Sequence, residues 1–247
     1  MLKIALIGYG AMGRLIKSIS HDYNCKVVGV VDQFLGKELN RENLSDSDVV
    51  IDFSSKDAVV QNVEFTMAQR KKLVIGTTGW DSDLKNVRQI VNKSNGGAVF
   101  GPNFSIGMNV FYDAIAKISS AMNNIPSYDV YGVEKHHTRK TDSPSGTAKV
   151  LAEIILDSID RKSKLTIDPV IDRTIQKDEL HFASIRSGDI SGEHTIGFES
   201  EFDSITLTHS AKNRMGFAIG ALKAALFVEN RVGFFNFVDE FDRILNQ

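Results

Sequence analysis

The opening "LKIALIGYGAMGRLIKSIS" constrains the fold more than any other stretch. An apolar, β-rich run ends at Gly8, Gly10 and Gly13, and residues at helical spacing follow at once. A buried strand that turns through G-x-G-x-x-G into a helix is the first half of a βαβ crossover. The pattern then repeats. "KVVGVVD", "DVVIDFS", "KLVIGTTG" and "GAVFGPNFS" read as further buried strands, and "VVQNVEFTMAQR" and "DLKNVRQIVNKS" as helices. Apolar strands alternating with amphipathic helices indicate a parallel sheet covered on both faces, an α/β, Rossmann-type doubly wound fold.

The rhythm changes after about Ser105. "GMNVFYDAIAKISSAM" reads as a long amphipathic helix, "YDVYGVEKHH" alternates like a strand, and "GTAKVLAEIILDSI" is helical again. "LHFASIRSGDISGEHTIGFESEFDSITLTHSA" then reads as several strands broken by Gly, Asp and Ser. Strands in succession without helices predict a second, α+β domain with a mixed sheet and one more exposed face. The last helix, "MGFAIGALKAALFVEN", is rich in Ala and Gly, which suits close packing; the pattern leaves open which domain it joins.

The 247 residues suffice for two domains with real cores, and 29 basic against 31 acidic side chains leave no bulk field for nucleic acid or an anionic membrane. Cys25 is the one cysteine, so no internal disulfide forms; its strand-start setting, read as partly buried, suggests packing. No apolar run reaches the roughly 20 residues a membrane span needs, and the N-terminus lacks a secretory pattern. A soluble cytoplasmic protein is the expectation.

Gly8, Gly10 and Gly13, with the intervening Tyr9, Ala11 and Met12, sit where a pyrophosphate would meet free N–H groups at the positive end of a helix. The second strand ends in Asp32, about twenty residues on, where an acid accepts ribose hydroxyls. Strand, glycines, helix, strand and acid in that order predict dinucleotide binding. Asp32 repels a 2′-phosphate and the next residue is Gln33 rather than Arg, which favours NADH over NADPH, although Arg14 or Lys17 offers positive charge. "GTTG", with Gly76, Thr77 and Thr78, and "GPNF", Gly101, Pro102, Asn103 and Phe104, fall at carboxyl ends of later strands, where open α/β sheets bind ligands. There the two threonine hydroxyls are available to ribose or carboxamide groups.

A second constellation lies in "EKHHTRKTDSPSGTA", Glu134 to Ala148. On a strand, His136 and His137 point to opposite faces, and Lys140 follows in a loop. Ser143 and Pro144 read as an N-cap with proline at the first helical position, so the N–H groups around Ser145, Gly146 and Thr147 become helix-start donors. Imidazoles and an ammonium beside a helix N-terminus suit an anionic substrate, most simply a carboxylate, and an imidazole supplies a proton near neutral pH. Adjacent histidines lack a zinc spacing, and no Cys pair or H-E-x-x-H supports a metal. Arg186, His194 and His209 lie on later strands with their directions open.

The same stretch resembles the signature E-x-H-H-x-x-K-x-D-x-P-S-G-T-A of the 4-hydroxy-tetrahydrodipicolinate (dihydrodipicolinate) reductases of bacterial lysine and diaminopimelate synthesis. "GYGAMGR", "GTTG", "NFSIGMN", "SIRSGDISGEHT" and "RMGFAIGALKAA" are similar to that family's segments in the same order. The resemblance implies that His136 is the acid/base residue, that Lys140 is a second proton donor holding a substrate carboxylate, and that His137, Gly146 and Thr147 touch a small cyclic dicarboxylate. It implies that "GYGAMG", Asp32, "GTT" and "GPNF" contact NADH or NADPH. It also implies a dinucleotide-binding domain of residues 1–104 and 214–247, a substrate-binding and oligomerisation domain of residues 105–213, and a homotetramer. The chain departs from the family pattern at Ala11, Met12 and Gln33, where basic residues are common, and at "DFSSKDA", where Phe-Thr-x-Pro is usual. The competing readings are another two-domain dehydrogenase, acting on a semialdehyde or sugar, and a dinucleotide-sensing regulator.

Overall fold

The computed structural model describes residues 1–246. They form two units, Met1–Ile106 with the segment from Arg214 onward, and Gly107–Asn213.

In the first unit, β1 (Leu2–Ile7), α1 (Ala11–Ile19), β2 (Cys25–Val31), the short α2 (Arg41–Leu44), β3 (Val49–Asp52), α3 (Val59–Ala68), β4 (Lys72–Ile75), α4 (Leu84–Lys93) and β5 (Gly97–Phe100) follow in order. The sheet runs β2-β1-β3-β4-β5 and is extended by a strand from the end of the chain, with every pairing parallel. Alternation along β1 explains the two covered faces. Ile4 and Leu6 join one buried cluster with Ile16 of α1, while Ala5 and Ile7 join the other with Val59 and Val63 of α3 and Val87 and Val91 of α4. Cys25 is fully rather than partly buried, and burial, then the charge of Glu229, pushes its thiol up to about 11. An inert packing role follows.

The second unit begins within α5 (Ile106–Asn123) and continues through β6 (Asp129–His136), α6 (Gly146–Ser158), β7 (Lys164–Ile167), β8 (Glu179–Arg186), β9 (Glu193–Glu199) and β10 (Ser204–Ser210). The sheet order is β10-β9-β6-β8-β7; β6 is antiparallel to β9 and parallel to β8, which makes the sheet mixed. Helices α5 and α6 cover one face, packing Phe111, Ile115, Leu151 and Ile155 on Val130, Phe182, Ile196 and Phe198. Among the described residues no helix covers the other face, where Tyr131 and Ile185 are exposed and Thr195 meets Thr208 at 3.0 Å.

The chain then returns to the first unit as α7 (Met215–Val228), β11 (Gly233–Asn236) and α8 (Phe241–Leu245). The Ala/Gly composition of α7 has a direct cause. A Cβ on Gly220 would lie 1.9 Å from the Phe104 carbonyl oxygen, so only glycine lets the helix rest on that backbone. β11 pairs with β5. β7 (KLTI) and β11 (GFFN) are as short as β3, β4 and β5 but lack their run of three apolar residues, so the sequence does not announce them. No helix among the described residues is long and apolar enough to cross a membrane.

Candidate functional site

In the first unit, the carboxyl ends of β1, β3, β4 and β5 surround two adjoining cavities of about 250 and 330 Å³. The smaller is walled by Met12, Gly76, Thr78 and the Pro102–Asn103–Phe104 turn. The larger is walled by Gly10, Ala11, Met12, Thr77 and Thr78, together with Lys56 and Arg214. The remaining expected cofactor residues shape these walls from behind. Gly8 has φ +88°, and a Cβ there would strike the Phe53 carbonyl at 2.3 Å; one on Gly13 would strike the Gly8 carbonyl at 2.3 Å. A Cβ on Gly101 would press on Phe237.

The glycine turn fits a pyrophosphate. A Cβ at Gly10 would meet nothing within 4 Å, and α1 starts with neither a side-chain cap nor an acid in its first turn. Its first N–H groups are therefore open to an anion. Asp32 is bound into the same turn, accepting from Tyr9 N at 2.7 Å through one oxygen and from Phe34 N at 2.9 Å through the other. Lone pairs remain on both oxygens for ribose hydroxyls. The two threonines of "GTTG" differ, contrary to the reading of two available hydroxyls. Thr77 Oγ1 donates to the buried Asp52 at 3.2 Å and accepts from Ser54 N at 2.9 Å. Its hydroxyl is engaged within the protein, whereas Thr78 lines both cavities. Asn103 Oδ1 accepts from Ser105 N at 2.9 Å, fixing the turn before α5.

The second unit holds the histidine cluster. Alternation along β6 buries Val130, Gly132, Glu134 and His136 on the helix-covered face, with Glu134 fully buried. Glu134 Oε1 accepts from Ser145 N at 3.0 Å, Ser184 Oγ at 2.7 Å and Arg186 Nη2 at 2.8 Å. Its Oε2 lies 3.0 Å from His136 Nδ1 and 3.8 Å from His194 Nε2. Burial pushes the Glu134 pKa up, but hydrogen bonds from His136, Ser145, Arg186 and Ser184 outweigh it and hold the carboxyl far below its usual range. With Nδ1 turned to the carboxylate, Nε2 is the His136 atom left for a ligand. A Cβ on Gly192 would stand 3.1 Å from that nitrogen.

Helix α6 begins at Gly146, two residues later than the start expected from Ser143 and Pro144. The cap is Ser145, whose Oγ accepts from Ala148 N at 3.1 Å and lies 3.2 Å from His194 Nε2. The S-P pair reads as a cap in sequence, but Pro144 precedes the helix, and Glu134 fixes Ser145 instead. Gly146 is exposed with open space above it. Thr147 is the next residue of the first turn, and His137 stands half-buried one residue past the end of β6. Lys140 pairs with Asp142 at 2.7 Å, and Arg186 Nη2 grips the Asp142 carbonyl at 2.7 Å, which ties the intervening loop to Glu134. His194 therefore faces the cluster, whereas His209 packs beside Phe111 at 6.1 Å between ring centroids. Glu134, His136 and His194 offer ligand atoms within 4.8 Å of one another. Glu134 Oε1 is taken up by its three donors, one of them a guanidinium, and Oε2 is the oxygen turned to the imidazoles.

Residues 2–104 match the family model described as dihydrodipicolinate reductase, N-terminus, and residues 107–240 match the one described as dihydrodipicolinate reductase, C-terminus. The chain belongs to the dihydrodipicolinate reductase family. A 4-hydroxy-tetrahydrodipicolinate reductase of Christiangramia forsetii is 36% identical over 96% of this chain and 97% of its own length. One of Paraburkholderia phymatum is 35% identical over 92% and 94%. The fold is similar to that of a dipicolinate-bound dihydrodipicolinate reductase from Paenisporosarcina sp. TG-14, at TM-score 0.75 and 23% identity over 97% of this chain and 99% of that one. This reductase is thus an oxidoreductase with a nicotinamide dinucleotide cofactor, and its matched segments contain both the glycine cleft and the Glu134 cluster.

The cluster has a pH signature. Burial first, then the neighbouring His136, pushes His194 down from 6.5 to about 4, against the pull of Glu134. Between those values the unfolded chain binds the proton and the folded chain does not, so stability rises with pH across the window and is lost as pH falls. From pH 6.5 down to about 5, above the carboxylate range, His194 accounts for a loss of about 2 kcal/mol. Urea midpoints for wild type and His194→Gln over that range should diverge, the variant giving the flatter profile. Parallel profiles would contradict the assignment.

Proposed function

We propose that this reductase uses NADH to reduce 4-hydroxy-tetrahydrodipicolinate to tetrahydrodipicolinate, a step of bacterial lysine and diaminopimelate biosynthesis, in the cytoplasm. The observation that carries the reading is the pairing of a buried carboxylate with His136 beside Lys140 and the open first turn of α6. The cofactor, when bound, supplies hydride to C4 of the substrate ring as water is lost. Gly10, Ala11, Met12, Gly76, Thr78 and the Pro102–Phe104 turn hold it, and Asp32 takes its ribose hydroxyls.

The chain's own groups handle charge and protons. A substrate carboxylate binds the N–H groups at Gly146 and Thr147, where the helix dipole and Lys140 stabilise it. His137 contacts the same substrate. His136 exchanges its proton at Nε2 while Glu134 keeps Nδ1 protonated and fixes the ring. Lys140 balances the charge that develops on the ring and serves as the second proton donor. Selection of a dicarboxylate follows, because a semialdehyde or sugar offers no second anion to this donor set. The preference for NADH rests on the Asp32 carboxylate, which repels a 2′-phosphate.

An assay of cofactor oxidation with freshly made synthase product tests the scheme. NADH should give the higher kcat/KM, and sugars and semialdehydes should give no turnover. His136→Gln should lower kcat strongly with NADH affinity unchanged. Lys140→Ala should raise KM and lower kcat, costing about ten- to a hundredfold in kcat/KM. Two folded variants with wild-type kcat/KM would refute the roles.

We also propose that the second unit builds a homotetramer through its open sheet face, where Tyr131 and Ile185 otherwise remain in water. Light scattering should give four times the chain mass; a stable monomer would contradict this.

A further inference from the structure

A dinucleotide brings a doubly charged pyrophosphate to the glycine turn, yet the first turn of α1 carries only Ala11, Met12 and Gly13. The two cations further along α1 are committed elsewhere. Arg14 Nη1 donates to the Tyr9 carbonyl at 3.2 Å, and the Lys17 ammonium stands 5.6 Å from the centre of the Tyr9 ring. Neither lines the cavities.

Two other cations do. Lys56 and Arg214 share the larger cavity with Gly10, Ala11 and Thr78. Lys56 lies in the turn after β3, within the segment "DFSSKDA". Its stem lies over the Gly79 turn, with Cδ 3.7 Å from where a Cβ would stand. Neither Lys56 nor Arg214 forms an ion pair among the described residues. A cation held in a cleft with no protein anion on it has its full charge available to a ligand. Asp32, the ribose acid, is not part of this cavity, so the charge is directed at the phosphate bridge rather than at the ribose 2′ position.

We propose that Lys56, supported by Arg214, is the counter-charge for the cofactor's pyrophosphate in this chain, replacing basic residues absent from its glycine turn. The inference rests on the cofactor reading above and adds a binding residue to it. Because the pyrophosphate is common to both cofactors, Lys56 strengthens NADH and NADPH binding alike and leaves the choice between them to Asp32.

Trp80 provides the probe. It is the chain's one tryptophan, and its Nε1 donates to the Thr77 carbonyl at 2.7 Å beside the cleft, so energy transfer from it reports NADH or NADPH binding without turnover. Titrations at low and high salt should compare wild type, Lys56→Gln and Lys56→Arg. Loss of one charge-assisted contact predicts about tenfold weaker binding of both cofactors by Lys56→Gln and a shallower salt dependence, with Lys56→Arg recovering most of the affinity. Binding of NADH by Lys56→Gln within twofold of wild type overturns the proposal. So does a loss confined to NADPH, which would put Lys56 at the 2′-phosphate. Failure of the wild-type chain to bind either cofactor overturns the cofactor reading and this inference together.

Discussion

The buried carboxylate of Glu134 is the interaction on which the second unit's chemistry depends. Removing an ionised carboxylate from water costs several kcal/mol unless donors replace the water. Here the cap of α6 and Ser184 and Arg186 on β8 donate to one oxygen, and His136 on β6 itself stands 3.0 Å from the other. The compensation therefore cannot be made without bringing those elements together. It turns one nitrogen of His136 inward, sets where α6 begins, and through Arg186 anchors the loop that carries Lys140. One buried charge thus places an imidazole, an ammonium and an open helix start together, a set suited to a carboxylate-bearing substrate.

The first unit uses two carboxylates in a milder form of the same device. Asp32 pins the glycine turn through Tyr9, and Asp52, fully buried at the end of β3, holds Asn62, Ser54 and Thr77. Burial raises the Asp52 pKa in spite of those hydrogen bonds, whereas at Glu134 the interactions with His136, Ser145, Arg186 and Ser184 together outweigh burial and hold the carboxyl down. The contrast fits the roles. Asp52 orders the backbone behind a cleft, and Glu134 keeps its charge next to the His136 imidazole.

Much of the architecture was legible because it depends on apolar period and on glycine. The continuous apolar runs in "KIALIGYG" and "KVVGVVD" require burial on both faces, and the Ala/Gly run of α7 signals the close backbone contact seen at Phe104. What escaped depended on side-chain direction across elements distant in sequence. Glu134 lies two residues from His136 and shares its face, a signal present in the alternation of β6, but its partners at 145, 184 and 186 are visible only once the sheet is paired. The cap moved from Ser143 to Ser145 for the same reason, since a tertiary carboxylate overrode local S-P preference. Thr77 was misread as a free hydroxyl because nothing local announces Asp52 beneath it. No local pattern marks Lys56 as a residue that lines the cavity.

The central claim is that Glu134 holds the Nδ1 proton of His136 and leaves Nε2 for substrate. Two-bond proton–nitrogen spectra of histidine-labelled protein test it directly, with the His136 signals assigned by their loss in His136→Gln. At about pH 8.5, where imidazoles are mostly neutral, the account predicts a protonated Nδ1 with a strongly downfield, slowly exchanging proton, and loss of that signature in Glu134→Gln. A wild-type His136 protonated at Nε2, or a spectrum indifferent to Glu134→Gln, would contradict it.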